Sequence, residues 1–239
     1  MKPAIPILYE DNHIIVVEKP PGIPSQEDDT GDADMLTLIK DDIKLRYQKP
    51  GNVFLGLVHR LDRPVGGAMI FAKTSKAASR LSDAVRTRTF GKTYMCIVEG
   101  IPVAQEADLL HYIRKDSKKN QVTVFNQPVA EAKDARLSYR VIASNNGTSL
   151  VSIQLHTGRP HQIRAQMAFI GHPLLGDVKY GKAAKQRGHG TIALWSTSVT
   201  APHPTSKEVM SFTSLPNSAE APWSHYTAQQ LQQAVHWYT

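Results

Sequence analysis

An α+β fold is predicted by three features of this 239-residue sequence. Strand-like segments outnumber helical ones, they follow one another without the regular alternation of a doubly wound sheet, and no repeat or low-complexity tract interrupts them. A single domain spanning 1–239 is expected, because no linker composition divides the chain. Along the chain, Ile14 to Glu18 reads as a short buried strand, stopped by Pro20, Pro21 and Gly22. Leu36, Ile39, Ile43 and Tyr47 keep helical spacing, with Asp34 placed as N-cap. Ala68 to Ala72 is a strand, followed from about Ser75 by a helix with Ala78, Leu81 and Val85 on one face. KTYMCIVEG (92–100) is a strand ending at Gly100, with Tyr94, Cys96 and Val98 on one face and Thr93, Met95 and Ile97 on the other. Val122 to Phe125, Ala135 to Ala143 and Leu150 to Leu155 are strands, with a hairpin turn at Asn145-Asn146-Gly147. Residues 161–170 read as a helix capped by Gly171, with Pro173 beyond it. Strand character resumes at Ile192 to Val199 and Val209 to Phe212, and a last helix carries Leu231, Val235 and Tyr238.

Composition narrows the class. No apolar run has the length of a membrane span, and the N-terminus MKPAIPILYEDN lacks a signal-peptide or transit pattern. The single cysteine, Cys96, excludes an internal disulfide and a cysteine-based zinc site, and a cytoplasmic protein is expected. Charge is unevenly spread. Residues 1–45 hold four Lys/Arg and ten Asp/Glu, a balance of −6, whereas residues 46–199 hold 23 Lys/Arg and nine Asp/Glu, a balance of +14. The cations cluster at Arg86, Arg88 and Lys92, at Arg114, Lys115, Lys118 and Lys119, and at Lys179, Lys182, Lys185 and Arg187. Such a segment suits a polyanionic partner, because each neutralised phosphate releases condensed counterions. Charge alone leaves a solvated basic surface as an equal reading.

Three segments carry the chemistry. In HRLDRPVGGAMIFAKT (59–74), Asp62 sits in a loop between apolar stretches, where a carboxylate costs several kcal/mol to desolvate unless it is paired or hydrogen-bonded. Taken alone, such an aspartate is most often structural. In LHTGRPHQIRAQMAFIGHPLLGD (155–177), a turn at Gly158-Arg159-Pro160 opens a helix whose first turn holds Arg164, able to hold a loop carboxylate ionised. In GKTYMCIVEG (91–100), Tyr94 lies on a strand, either stacking on a base or serving as a core tyrosine.

Together, HRLD with GAMIFAKT, then KTYMCIVEG, then LHTGRPHQIRAQMAFIGHPLLGDVKYG, resemble the RluA-type family of RNA pseudouridine synthases. The opening ILYEDNHIIVVEKPPGIPSQ is similar to the start of that family's catalytic domain, and the likeness runs from about residue 7 to 200. The resemblance implies a mixed, mainly antiparallel sheet with flanking helices and an active site in a cleft crossing it. It also implies isomerisation of uridine to pseudouridine in structured RNA, ribosomal or transfer, without metal or organic cofactor. The protein is expected to act as a monomer on RNA, away from membranes. Asp62 is then the catalytic carboxylate, Tyr94 the residue stacking on the target uracil, and Arg164 the partner of Asp62. Arg60 is expected to enter the gap left by the flipped nucleotide, and His59, Lys92, Arg159 and His161 of the same motifs to contact the RNA.

The chemistry fits those roles. The N1–C1′ glycosidic bond must break, the uracil rotate, and a C5–C1′ bond form, and a nucleotide in a duplex has to be flipped out first. An ionised carboxylate can attack or assist at C1′, or act as a base. One departure is that Val65-Gly66-Gly67 stands where the family commonly has Thr-Ser-Gly, losing two hydroxyls but keeping a glycine at the turn. Many relatives also carry an N-terminal RNA-binding domain, whereas this sequence opens on the catalytic segment, so RNA affinity is expected from the basic 46–199 surface. Two rival readings stand beside this one. A metal-dependent hydrolase lacks a helical HxxxH pair, since His59 and Asp62 fall three apart in a loop and His156 and His161 five apart across a turn. An RNA-binding protein of the same fold without catalysis would share every charge.

Overall fold

The computed structural model describes residues 5–181 and 192–235. Lys182, Lys185 and Arg187 of the third basic cluster, and Tyr238 of the last helix, lie outside the described residues. The architecture is α+β. In chain order come β1 (Ile7–Glu10), β2 (Ile14–Lys19), α1 (Met35–Arg46), β3 (Gly56–Leu57), β4 (Gly66–Ala72) and α2 (Ser75–Arg86). These are followed by β5 (Gly91–Glu99), β6 (Glu106–Asp116), β7 (Gln121–Phe125), β8 (Lys133–Asn145), β9 (Thr148–Leu155) and α3 (Gln162–Phe169). The chain closes with β10 (Leu194–Pro202), β11 (Val209–Thr213) and α4 (Ala228–Val235). They fall into two compact units, Met1–Gly91 with Ser196–Ser214, and Lys92–Trp195 with Leu215–Thr239.

In the first unit the strand order is β1-β2-β4-β10, with β3 beside β4 and β11 beside β10. Strand β2 runs antiparallel to β4 from Ile14 opposite Ala72 to Lys19 opposite Gly67. Ile14 and Val16 of β2, and Ala68, Ile70 and Ala72 of β4, point to one face, as a period of two requires. Against it α2 lays Ala77, Leu81 and Ala84, with Ala78 and Val85 at the margin. Both helices begin where side-chain caps are available. Asp34 accepts from the Thr37 N–H at 3.2 Å, and Thr74 accepts from the Ala77 N–H at 3.1 Å.

In the second unit the order is β5-β9-β8-β6-β7, every ladder antiparallel. The β8–β9 hairpin turns at Asn146 and Gly147, both at positive φ, the conformation its Asn-Gly dipeptide favours. Helix α3 ends as its glycine foretells. Gly171 has φ +92°, its N–H donates to Ala168 O, and the next N–H, His172, donates to Met167 O, both at 3.0 Å. Its Ala165 packs with Ile113 of β6, Val122 of β7 and Ala135 of β8. Helix α4 covers a separate cluster with Met95, Ile97, Leu150 and Trp223.

Three strands go beyond the sequence expectation, the two-residue β3 among them. Strand β1 is half exposed and irregular in register between Ile7 and Tyr9, so its ILYE shows no clean alternation. Strand β6 contains Arg114 and Lys115, which the sequence presents only as part of a basic cluster; their side chains point to solvent while Ile113 faces the core.

Gly67, kept where the family's hydroxyls are lost, is required by backbone approach. Its φ is +115°, and a Cβ there would sit 2.2 Å from Ser196 O and 2.7 Å from Ser196 N. The obstacle is a backbone, which cannot rotate away. Gly67→Ala is therefore expected to cost at least about 3 kcal/mol or to prevent folding, measured by urea denaturation against wild type.

Candidate active site

The first unit presents Asp62, partly exposed, in the loop that leads from Leu57 into β4. Arg60 beside it is exposed. His59 is different. It is buried, its Nε2 accepts from the Ile70 N–H at 3.1 Å, and its ring lies 5.1 Å from that of Phe90, so it braces β4. The loop is fastened beyond Asp62 as well. Val65 N–H donates to Asp62 O at 2.9 Å, Gly22 N–H donates to Arg63 O at 2.8 Å, and Arg63 Nε donates back to Gly22 O at 3.0 Å. The Arg63 guanidinium also binds Thr30 and Asp32 of the acidic stretch, so this second arginine of HRLDR ties two loops of the unit together.

Lys19 lies beneath this loop with no exposed surface. Its Nζ donates to Pro20 O and Arg63 O, both at 3.0 Å. Burial drives its pKa from 10.5 down to about 7, with the Asp62 carboxylate pulling it up and Arg63 pushing it down. Lys19 is not among the residues the motifs single out; it closes the largely apolar run IIVVEK just ahead of Pro20-Pro21.

The second unit presents Tyr94, Arg164, Lys92, Arg159 and His161. Tyr94 sits on β5 opposite Ile153 of β9 and is 5% exposed. Arg164 is the third residue of α3. Its Nε and Nη2 meet Asp177 Oδ2 and Oδ1 at 2.8 and 2.9 Å, a bidentate pair with side chains 6% and 0% exposed. Asp177 lies beyond the helix and outside the candidate set, yet it holds this arginine. Burial raises the Asp177 carboxyl; the Arg164 hydrogen bonds and charge, with the Lys179 and Tyr180 N–H groups, more than offset that and hold it below the usual carboxylate range. The clue is the one that applies to Asp62: a lone carboxylate after apolar Leu174-Leu175 needs a partner.

Tyr180 completes the cluster. The Arg164 guanidinium lies 5.4 Å from its ring centre, and its hydroxyl accepts from the Val122 N–H at 3.0 Å and is hydrogen-bonded with His161 Nδ1 at 2.8 Å. His161 itself stands in the left-handed region at φ 50°. Arg159 is committed to β8, donating to Asp134 O at 2.7 Å and to its carboxylate at 2.6 Å. The glutamine of HQIR, absent from the candidate set, braces the same turn: Gln162 Oε1 accepts from Thr157 Oγ1 and the Arg159 N–H, while its Nε2 donates to Arg136 O. Lys92 is the contrast. Burial lowers its pKa, no described carboxylate pairs with it, and a Cβ on Gly158 would approach its Nζ to 3.0 Å. It is a largely buried ammonium beside the TGRP turn. Among the described residues no three His, Cys, Asp or Glu side chains gather as metal ligands, and no helix is long and apolar enough to cross a membrane.

These two sets of residues lie in HRLD, KTY and HQIR segments that a known family model matches: that of RNA pseudouridylate synthase, over residues 13–169. The chain belongs to the RNA pseudouridylate synthase family. An uncharacterized RNA pseudouridine synthase of Bacillus subtilis strain 168, YhcT, is 34% identical over 210 residues, 85% of this chain and 66% of that protein. The ribosomal large subunit pseudouridine synthase D of Nitrosomonas europaea is 31% identical over 214 residues, 84% of this chain and 60% of its own length. The chain thus spans under two thirds of each of these two relatives. Among solved structures, human RNA pseudouridylate synthase domain containing 4 superposes with a TM-score of 0.76 at 22% identity, covering 95% of this chain and 93% of that one. That likeness confirms the α+β fold.

Two outcomes test this geometry. Asp177→Asn removes the charge opposite a buried guanidinium and is expected to cost about 3–5 kcal/mol in urea unfolding at pH 7. Lys19 gives a pH signature. Its folded-state pKa is lowered, so between about 7 and 10.5 the unfolded chain holds a proton that the native chain has released, and stability rises with pH across that window. Lys19→Met should reduce the slope of unfolding free energy between pH 7 and 9 by up to about 1.4 kcal/mol per pH unit; equal slopes would show that Lys19 keeps an ordinary pKa.

Proposed function

We propose that this protein isomerises uridine to pseudouridine in structured RNA, with Asp62 as the catalytic carboxylate. The observation that carries the reading is the family match over 13–169, inside which Asp62 occupies the aspartate position of HRLD. The target nucleotide is flipped from its stack, and Arg60, exposed two residues before Asp62, fills the gap it leaves. Asp62 acts at C1′ while the glycosidic bond breaks. The uracil turns and rejoins through C5, and the hydrogen at C5 leaves to solvent as N1 gains one. Tyr94 stacks on the uracil, and Arg164 supplies positive charge to the carboxylate.

RNA backbone contacts are assigned to cations without carboxylate partners. Lys92 is one, at the TGRP turn. Arg114, Lys115, Lys118 and Lys119 are others, exposed where β6 passes into β7. His59, Arg159 and His161 act one step back, holding the backbone that carries the contacting groups. Relatives named for the ribosomal large subunit favour ribosomal RNA as the substrate class.

The test is tritium release from 5-³H-uridine-labelled RNA of cells lacking the gene, with mass-spectrometric mapping of the product. Wild type should release tritium, and Asp62→Asn, with its charge removed at nearly constant volume, should fall below detection while binding the RNA with similar affinity. An Asp62→Asn protein that melts early yet makes pseudouridine at a near-normal rate would assign the residue a structural role instead.

A further inference from the structure

Asp62 is gripped on both sides by one short segment of the first unit. Downstream, the Arg63 carbonyl accepts from Lys19 Nζ and from the Gly22 N–H. Upstream, Ser25 Oγ accepts from the Leu61 N–H at 3.1 Å and donates to Leu61 O at 2.8 Å. That carbonyl belongs to the peptide joining Leu61 to Asp62. One serine hydroxyl therefore does for this loop what a neighbouring strand does for a ladder residue: it satisfies an N–H and a C=O together. Ser25 is 5% exposed and Leu61 6%, so water has little access to replace the hydroxyl. The Ser25 hydroxyl also lies 3.8 Å from Met69 Sδ of β4, which fixes its own rotamer against the strand that the loop feeds.

We propose that Ser25 is a positioning residue for Asp62, setting the backbone of residues 61–63, and with it the direction of the carboxylate, against the Lys19 and Gly22 anchors on the far side. The inference rests on the reading of Asp62 as the reacting carboxylate. It is separable from that reading because the Ser25 hydroxyl bonds the Leu61 backbone and lies beside a methionine sulfur, not at a reacting group. A displacement of the order of 1 Å at a reacting group can cost about a hundredfold in rate while leaving ground-state binding intact. Loss of the clamp should therefore appear in the chemical step and not in RNA affinity.

The experiment measures single-turnover rate by tritium release and RNA affinity by filter binding, on the same 5-³H-uridine-labelled RNA, for wild type, Ser25→Ala, Ser25→Cys and Asp62→Asn. Ser25→Ala is expected to slow the rate by about 10–100-fold with the dissociation constant within about twofold of wild type. Ser25→Cys keeps the volume with a weaker donor and acceptor, and should fall between the two. A Ser25→Ala rate within about twofold of wild type overturns the proposal, as does a rate loss matched by an equal loss of affinity. Should Ser25→Ala fail to fold, Ser25→Cys decides: a rate near wild type overturns the proposal, and a slower rate at unchanged affinity supports it. Inactive Asp62→Asn beside fully active Ser25→Ala sinks this inference alone, whereas active Asp62→Asn removes it together with the catalytic reading.

Discussion

The second unit is organised by a guanidinium and a carboxylate that meet out of water. Taking Arg164 and Asp177 from solvent costs several kcal/mol each, and their attraction offsets that only with good geometry and with the remaining lone pairs occupied. Both conditions hold. The contact is bidentate, and Asp177 Oδ1 also accepts from the Lys179 and Tyr180 N–H groups. The pair therefore adds less to stability than it takes away in freedom, because neither member can be changed without stranding the other. It welds α3 to the segment after it, and through Tyr180 reaches β7 at Val122 and the start of the helix at His161. The direction of the Arg164 fork is thus settled by the fold itself.

The first unit meets the same difficulty differently. The Lys19 ammonium donates to two carbonyls, and its burial is tolerated partly because the Asp62 charge favours its protonated form. Arg63 directs its guanidinium outward to Thr30 and Asp32 and inward to Gly22 O. A carboxylate can stay partly exposed and still keep its direction when its backbone is held this firmly. Rigidity at Asp62 is supplied by its backbone neighbours.

How much was legible in the sequence follows from which interactions are local. Caps at Asp34 and Thr74, the Asn146-Gly147 turn and the Gly171 stop depend on residues within a few positions, and a periodic pattern shows where they belong. The family was legible because three motifs kept their order. What escaped is long-range. Asp177 finds Arg164 across 13 positions and Ser25 finds Leu61 across 36, and nothing in local pattern ranks one buried polar residue above another. Strand β6 escaped because the charges at its end read as a patch, and β1 because a half-exposed strand of four residues has no alternation to detect. The internal hydrogen bonds of His59, Arg159 and His161 were not legible either, because a motif names residues without naming their partners.

The charge asymmetry also changes meaning once partners are assigned. A balance of +14 over 46–199 suggests a broad basic surface, but much of it is internally committed: Arg46 to Glu10 and Asp42, Arg63 to Asp32, Lys73 to Glu10, Arg86 to Asp83, Arg140 to Glu106, Arg159 to Asp134 and Arg164 to Asp177. Glu10, Asp42 and Asp32 belong to the acidic first 45 residues, so part of the asymmetry along the sequence cancels in the fold. A cation already paired gives up that partner to bind phosphate and gains correspondingly less. The cations that gain most are those without such partners. At the β6–β7 hairpin, beside Arg114, Lys115, Lys118 and Lys119, the Asp116 Oδ1 accepts from the Lys118 and Lys119 N–H groups and shapes the turn. Counterion release is counted per phosphate contact, so the formal charge of a whole segment is not the measure of the salt dependence it would confer.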